Sequence, residues 1–270
     1  MAGVHAYFYT DPACPWSWSL QPALRRLDVE FDGAIELRPV MGGLAREFAD
    51  PLAQVRQWLE AGATSGMPVD PRLWIESPPT SSYPACLAVE AAGEQGPDLQ
   101  AAYLRAAREG LACGRRRLDS ADALVDLARA VAGLDVERFR IDLESNAIVE
   151  LLGADFERAD EAGRRGGDEG RVRLPSLEFT GDDGEVHGVY GHQPYDAYRR
   201  AAQAAGAGPA AGPAPSVEDA LRRFGTMATP EVASACDLPG PRAAAELWRL
   251  AADWRVRFEP GLTGELWSLA

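Results

Sequence analysis

The sequence predicts an α/β protein in which a long helical region interrupts a small sheet. A βαβ pattern occupies residues 4–40, and the next strand signal comes only at residue 173, after a region of helical periodicity. The chain has 270 residues, 46% of them hydrophobic. That is enough for one sizeable core and a small second unit.

The opening βαβ unit follows from the hydrophobic pattern. Residues 4–9 are an apolar run typical of a buried strand, and residues 16–27 are predicted to be one helix. Residues 34–40 are predicted to be the second strand, because Ile35 and Leu37 alternate with polar neighbours.

The region that follows shows the 3.6-residue period of amphipathic helices. Its first predicted apolar face carries Leu52, Val55 and Leu59. Two later helix starts are marked by Ser120 and Asp135, whose side-chain oxygens can accept hydrogen bonds from free backbone N–H groups. We therefore expect a block of helices here.

Strand signals return as a β-hairpin followed by a helix. Strands are predicted at residues 173–180 and 185–190, joined by an Asp-Asp-Gly turn, and a helix at residues 195–205. Pro175 has no N–H to donate to a sheet, so we place it in a cis-proline loop where the strand begins. The order βαβ, helical block, ββα is that of a thioredoxin fold interrupted by a helical insertion.

The most informative motif is Cys14-Pro15-Trp16-Ser17, shortly after the first strand. A cysteine at a helix start faces free N–H groups and the positive end of the helix dipole, which stabilise a thiolate. We therefore expect Cys14 to be a nucleophile with a pKa below the ordinary value of about 8.5. A redox pair would have its second cysteine where this chain has Ser17. Trp18 is expected to anchor the core and Trp16 to line a groove.

These features resemble the landmarks of the cytoplasmic DsbA family, which includes the FrnE-like dithiol–disulfide isomerases, over about residues 4–205. The resemblance implies a DsbA-type thioredoxin fold with a helical lid inserted at about residues 63–168. The segments that carry it are Phe8-Tyr-Thr-Asp-Pro-Ala-Cys14-Pro-Trp-Ser-Trp18, Gly42-Gly-Leu44, Ser81-Ser-Tyr-Pro-Ala85, Gly133-Leu-Asp135 and Leu174-Pro175.

The same resemblance implies a role for each site residue. The roles are a nucleophilic thiol, a dipeptide that tunes its reduction potential and contacts substrate, a substrate-binding residue, and a cis-proline that faces the sulfur. In this chain they fall on Cys14, on Pro15 and Trp16, on Leu174, and on Pro175. Ser17 departs from the family's usual resolving cysteine, so we expect single-cysteine chemistry through a mixed disulfide.

The other cysteines and the histidines predict less. Cys86, Cys113 and Cys236 stand among Ala, Leu and Val and are expected to be small buried residues, although Cys86 or Cys113 could resolve a mixed disulfide. His187 and His192 are expected to be polar residues of a hairpin and a loop. Without a C-x-x-C pair we expect no metal site and no cofactor, and glutathione stays open as a co-substrate.

The charge of the chain restricts its partners. The formal net charge is −14, and all 27 basic residues are arginine. Such a surface repels nucleic acid and anionic lipid, so we expect neither a nucleic-acid nor a membrane partner. The amino terminus lacks the basic segment of a secretory signal, and we expect a cytoplasmic protein.

A second unit is predicted at the carboxyl end. Residues 205–215 contain only Ala, Gly and Pro, and residues 208–215 are predicted to be a linker. Three helices and a β-hairpin are predicted over residues 216–270, an arrangement that resembles a winged helix.

This winged-helix-like unit lacks the basic surface that DNA readers need. It holds six arginines and eight acidic residues, a net charge of −2. We therefore favour a packing or partner-binding module over a DNA-binding one. Some of its tryptophans are expected to pack against the first domain or a second subunit, which leaves a homo-oligomer open. They are Trp248, Trp254 and Trp267.

Three functional hypotheses remain. The leading one is a thiol–disulfide oxidoreductase or isomerase that acts on a protein or small-molecule substrate through Cys14 alone. The second is a weakly active or redox-inactive binding protein, similar to DsbA-like protease adaptors or chaperones, whose groove beside Pro175 recognises a polypeptide. The third is a glutathione-dependent transferase or isomerase of the kappa class, which usually has serine at the position of Cys14.

Overall fold

The computed structural model describes residues 3–210 and 212–270. Its central sheet has four strands: β1 (Val4–Thr10), β2 (Ile35–Met41), β3 (Ser176–Thr180) and β4 (Val186–Val189). They are ordered β2-β1-β3-β4, with β1 and β2 parallel and the other neighbours antiparallel. This mixed sheet confirms the predicted fold class.

One face of the sheet is covered by helices from both ends of the first domain. These are α2 (Gln21–Phe31) and α10 (Tyr195–Ala204), and the short α1 (Pro15–Ser19) precedes α2. Phe8 and Phe179 of the sheet pack with Phe31 of α2 and Tyr198 of α10 in one buried cluster. The hydrophobic alternation of the strands therefore closes a core directly below the Cys14 motif.

The predicted helix over residues 16–27 is wrong in one respect, because the structure breaks it at Leu20 into α1 and α2. Pro22 lies in the first turn of α2. A proline has no N–H to donate to the carbonyl of Trp18 one turn earlier, so the helical ladder cannot continue. The break leaves the Cys14 motif on a helix of five residues.

The helical insertion lies between β2 and β3. Its helices are α3 (Pro51–Ser65), α4 (Leu73–Glu76), α5 (Tyr83–Gly93), α6 (Pro97–Ala112), α7 (Ala121–Ala128), α8 (Val136–Leu143) and α9 (Asn146–Gly166). Ser120 and Asp135 cap α7 and α8 as predicted. Helix α9 returns to the sheet, where Ala159 and Ala162 pack against Tyr9.

The first helix of the insertion buries a different face from the predicted one. Trp58 is fully buried and Val55 packs beside it, whereas Leu52 is 61% exposed and Leu59 is also exposed. A tryptophan ring has far more apolar surface to remove from water than a leucine, so Trp58 decides which face of α3 turns inward.

The carboxyl-terminal unit, residues 216–270, has its own core. Its elements are α11 (Val217–Phe224), β5 (Met227–Ala228), α12 (Thr229–Ala235), α13 (Gly240–Ala252), β6 (Val256–Pro260) and β7 (Glu265–Leu269). The strands form a second sheet in the order β5-β7-β6. Trp267 is buried at the centre of this core, and its indole N–H donates to the Thr229 hydroxyl.

The carboxyl-terminal unit docks on the first domain through an ion-pair cluster. The carboxylate of Glu231, on α12, is fully buried and accepts hydrogen bonds from Arg25 at 3.0 Å and Arg105 at 2.7 and 2.8 Å. Thr263 extends the contact, because its hydroxyl accepts a hydrogen bond from the N–H of Val69.

The tryptophans contribute less to docking than the sequence suggests. Trp248 is 47% exposed and Trp254 is 87% exposed, while Trp267 serves the core of its own unit. The apolar part of the contact comes instead from the smaller side chains of Leu266 and Ala228, which join the core of the helical insertion. Trp254 therefore does not provide the predicted packing against the first domain, and packing of some of these tryptophans against a second subunit stays a prediction.

The segment between the two units follows the first domain over its first half. Ala205 and Ala207 are buried against the α2–α10 core, and the N–H of Ala210 donates to the carbonyl of Glu30 at 2.7 Å. Ala211 lies outside the described residues. The predicted linker therefore begins as an attached strap.

Candidate functional site

The Cys14 motif lies where β1 meets α1. Cys14 is the N-cap of α1, its N–H donates to the carbonyl of Asp11, and Pro15 follows as the first helical residue. Proline is favoured there because its missing N–H would have no helical partner. Trp18 is fully buried, and its indole N–H donates to the carbonyl of Pro68 at 2.8 Å.

The proline before β3 lies at the same end of the sheet. The Leu174–Pro175 peptide bond is cis. Strand β3 pairs with β1 in a register that sets Ser176 opposite Tyr9, so Pro175 falls opposite Thr10. The register thus brings the cis-proline loop beside the start of the Cys14 motif.

An open groove of about 660 Å³ runs past this loop. Trp16 and Leu174, two residues that the sequence assigns to substrate binding, both line it, whereas Cys14 and Pro15 are buried beneath. The residues that line the groove are Trp16, Gly42, Gly43, Leu44, Arg171, Val172, Arg173, Leu174, Tyr190, Gly191, His192 and Gln193.

His192 is a groove residue that the sequence analysis missed. Its ring lies 5.4 Å from the Trp16 ring, and burial lowers the pKa of the imidazole. The preceding Gly191 has a positive φ of 73°, which turns the chain at the end of β4. That Gly-His pair before a helix start was the available signal.

The wall that carries Tyr190 is fixed by a buried carboxylate. Glu178, on β3, accepts hydrogen bonds from the hydroxyls of Tyr9 and Tyr190 at 2.8 Å each and from Arg165 at 2.7 Å. These charged hydrogen bonds hold the pKa of Glu178 below its ordinary value although burial opposes them. The groove therefore has one rigid side.

The electrostatics of Cys14 differ from the sequence-based expectation. The residue is 2% exposed, and burial raises the pKa of its thiol, with a further increase from Asp11. The hydroxyl and N–H of Ser17 and the N–H of Trp16 favour the thiolate, yet burial outweighs them. The expected low pKa is wrong, because burial of the sulfur destabilises the thiolate more than the hydrogen bonds at the start of the five-residue helix stabilise it.

The buried carboxylate of Asp11 joins the motif to the insertion. It accepts hydrogen bonds from the N–H of Ala13 at 2.8 Å, the N–H of Leu44 at 2.6 Å, and the hydroxyl of Ser82 at 2.7 Å. Burial nevertheless raises the pKa of Asp11. Sequence reasoning missed this residue, because its partners come from distant segments.

Arg108, on α6, places a positive charge beneath the motif. It is 3% exposed, donates a hydrogen bond to the Thr10 hydroxyl, and lies over the Phe8 ring at 5.2 Å. Its Nε has no hydrogen-bond partner among the described residues. Burial lowers the pKa of Arg108 to about 9, and negative charge on Cys14 or Asp11 opposes that shift.

The remaining cysteines are free thiols. The Cys86 thiol is fully buried and donates to the Asp11 carboxylate at 3.2 Å, so burial and that charge raise its pKa well above the ordinary value. Cys113 donates to the carbonyl of Pro68 at 3.2 Å, and burial raises its pKa to about 12. Burial also raises the pKa of Cys236 to about 11. At neutral pH these thiols are protonated and poorly nucleophilic.

Two other kinds of feature are absent from the part of the chain that the structure describes. Residues 3–210 and 212–270 contain no group of three or more His, Cys, Asp or Glu side chains placed to hold a metal ion. In the same residues, no helix combines the length and apolar character needed to cross a bilayer.

Comparison with known proteins agrees with the fold and adds full-length relatives. The family model Thioredoxin_5, described as thioredoxin, matches residues 7–199. The ClpXP adapter protein SpxH of Halalkalibacterium halodurans is 32% identical over 277 residues, which cover 97% of this chain and 87% of the relative. Its counterpart in Bacillus subtilis is 28% identical and covers 97% and 88%.

A solved structure resembles about three quarters of the chain. The cytosolic disulfide reductase DsbM from Pseudomonas aeruginosa superposes with a TM-score of 0.60 at 22% identity, covering 73% of this chain and 96% of that one. Together with the family match, this likeness confirms the predicted thioredoxin-like fold.

Proposed function

Since this chain belongs to the Thioredoxin_5 family of thioredoxin-fold proteins, we propose that it is a polypeptide-binding adapter whose groove beside Leu174 and Pro175 holds an extended client segment. The observation that carries the proposal is the open groove above a buried, poorly ionised thiol. An adapter of this kind would deliver its client to a ClpXP-type protease, as the names of the two relatives suggest, and we place this activity in the cytoplasm.

The shape and lining of the groove favour an extended chain. Leu44 and Leu174 offer apolar contacts, Trp16 and Tyr190 offer aromatic ones, and Gln193 can hydrogen-bond a peptide group. An extended segment presents alternate side chains to such pockets. A small-molecule site would enclose its ligand more completely.

The state of the thiol argues against rapid redox turnover. Cys14 is almost inaccessible, its pKa is raised, and Ser17 leaves it without a partner that could close an internal disulfide. A thiol–disulfide catalyst needs the thiolate at neutral pH and a route to release the mixed disulfide. Cys14 in this chain meets neither requirement, because burial disfavours its thiolate and Ser17 cannot resolve a mixed disulfide.

The docked carboxyl-terminal unit also fits an adapter. The adapters of Halalkalibacterium halodurans and Bacillus subtilis match 97% of this chain, whereas the disulfide reductase covers 73% of it. Glu231 is buried between Arg25 and Arg105, which fixes the unit against the domain that carries the groove. Two rigidly linked units can hold a client and a protease at one time.

Monothiol exchange is the second candidate, because the buried Arg108 can stabilise negative charge on Cys14. The Cys14 thiolate would attack one sulfur of a substrate disulfide, form a mixed disulfide and release the other sulfur as a thiolate. A second thiol such as glutathione would then attack the substrate's sulfur in that mixed disulfide and return Cys14 as a thiolate.

Protein turnover in cells separates the two candidates. Pulse–chase proteomics would compare cells that lack the protein with cells that carry Leu174→Arg, Trp16→Ala or Cys14→Ser. Ile141→Arg, at an exposed position on α8, serves as the matched control for an added arginine.

The adapter proposal expects the same client proteins to be long-lived in the deletion, in both groove variants and when ClpXP is inactive. Cys14→Ser and Ile141→Arg should degrade them normally. Loss of turnover in Cys14→Ser alone would favour monothiol exchange, and unchanged half-lives in the deletion would refute the adapter.

A further inference from the structure

The groove differs in charge from the rest of the molecule. The chain has 41 acidic and 27 basic residues, yet none of the residues that line the groove is Asp or Glu. Arg171 and Arg173 line it, together with His192. A positive groove on an acidic protein favours a ligand of the opposite charge.

Arg171 is held in place by aromatic side chains and not by a carboxylate. Its guanidinium lies 4.4 Å from the centre of the Phe156 ring and donates to the Tyr83 hydroxyl at 3.3 Å. No carboxylate lies within 4.0 Å of it among the described residues. The two aromatic rings contact each other at 5.1 Å, so they form one platform for the cation.

Gly43 keeps this platform open. It has a positive φ of 59°, and a Cβ there would lie 2.5 Å from the Phe156 ring and 2.9 Å from the Arg171 guanidinium. Any other residue at position 43 would displace the stacked pair. The glycine at position 43 therefore allows Arg171 and Phe156 to stay stacked beside the groove.

The other two cationic candidates in the groove are weaker. Arg173 is already paired with Asp168 at 2.9 Å. Burial lowers the pKa of His192, which disfavours the charged imidazolium. Arg171 is therefore the lining cation whose charge is least compensated.

We propose that the groove selects an acidic client, an extended polypeptide segment with an Asp or Glu carboxylate on Arg171 and an apolar side chain against Leu174. The inference rests on the proposed function and names its client class. The carboxylate would meet the guanidinium in the fork geometry that arginine offers, and Leu174 and Trp16 lie along the same groove for the neighbouring side chain.

Peptide selection with the full chain tests the inference directly, because a random library contains acidic, neutral and basic segments alike. A displayed library of random decapeptides would be selected on the wild type and on Arg171→Gln. Arg242→Gln, at an exposed position on α13, would serve as the matched control. The best peptide would then be compared by fluorescence anisotropy with a twin in which Asp and Glu are replaced by Asn and Gln.

We expect acidic residues to be enriched on the wild type and on Arg242→Gln but not on Arg171→Gln. The amide twin should bind the wild type about tenfold more weakly, a change equal to about 1.4 kcal/mol. Addition of salt should weaken the acidic peptide more than its twin.

The possible failures are distinguishable. Selected peptides without acidic enrichment, or with enrichment that survives Arg171→Gln, would overturn the acidic preference and leave the polypeptide groove standing. Failure to select any peptide would contradict both the inference and the proposed function. Glutathione, an anionic tripeptide, is assayed alone, and its binding without any selected peptide would replace the polypeptide by a small ligand.

Discussion

The buried guanidinium of Arg108 donates a hydrogen bond to the hydroxyl of Thr10, the last residue of the strand that leads to Cys14. The contact carries a positive charge from the helical insertion to the thioredoxin-like sheet, and this charge interacts with negative charge on Cys14. Arg108 forms no ion pair with a carboxylate in the part of the chain that the structure describes, and a buried unpaired cation is costly, so ionisation of Cys14 would compensate its charge.

This relationship predicts the reactivity of Cys14. Burial raises the pKa of the thiol, so iodoacetamide should alkylate Cys14 more slowly at pH 7 than an exposed cysteine, with a rate that keeps rising at alkaline pH. Arg108→Met should slow the reaction about tenfold further at pH 7. Site-resolved mass spectrometry against pH gives both rates.

Arg56→Met, at an exposed position on α3, provides the control and should leave the alkylation rate of Cys14 unchanged. If Arg108→Met and wild type react equally, the guanidinium does not stabilise the Cys14 thiolate, and monothiol exchange loses its main physical support.

A second cysteine should restore what Ser17 lacks. Ser17 is buried beside the Cys14 thiol on α1, so Ser17→Cys should close an internal disulfide and release bound substrate. Insulin reduction by Ser17→Cys should exceed that of wild type about tenfold. Ser19→Cys adds a thiol to the same helix outside the motif and should not change the rate. Equal turnover by wild type and Ser17→Cys would show that another thiol already resolves the mixed disulfide.

The docking of the two units should depend on Glu231. Its carboxylate is fully buried between Arg25 and Arg105, so Glu231→Gln removes the ion-pair partner of Arg25 and leaves Arg105 with Glu109 alone, which should cost about 3–5 kcal/mol of unfolding free energy. Urea denaturation measures the loss, and proteolysis within residues 208–215 should become faster. The exposed Glu259→Gln should stay within about 0.5 kcal/mol of wild type. A Glu231→Gln protein as stable as wild type would contradict the docking account.

A buried pair of carboxyl groups predicts the pH dependence of stability. Burial and the neighbouring Asp155 raise the pKa of Glu90 to about 8, and burial raises the pKa of Asp155 to about 6. Between their ordinary values and these raised ones the folded state binds more protons than the unfolded state. The free energy of unfolding should therefore fall as pH rises from about 5 to 8.

Glu90→Gln should flatten that decline, while Glu150→Gln, on the exposed face of α9, should keep the wild-type slope. Chemical denaturation at several pH values gives the comparison. A decline in Glu90→Gln as steep as in wild type would show that the pair does not share a proton.

Local sequence signals predict some of the site and miss the rest for a physical reason. The strand, the Cys14 motif and the proline before β3 are each encoded by neighbouring residues, so they are visible in one sequence. Asp11 and Arg108 act through partners far along the chain, and the burial that raises the pKa of Cys14 arises only when the insertion packs over it. The helix break at Leu20, by contrast, could have been predicted from Pro22.

The docking of the second unit was predictable only in part. Residues 216–270 show an amphipathic pattern that needs a core, and Trp267 lies in it. The partners of Glu231 come from α2 and α6, which no local pattern connects to α12. Trp254, a large side chain that the sequence singles out, is exposed and lies outside this charged contact.

The proposed adapter delivers clients bound in its groove to a protease independently of Cys14 chemistry. Its most direct test is the degradation rate of a folded reporter fused to the selected acidic decapeptide, measured with purified ClpXP with and without the full chain. We expect the wild type and Cys14→Ser to accelerate degradation and Leu174→Arg to abolish the acceleration. No acceleration by the wild type, or acceleration that requires Cys14, would contradict the adapter account.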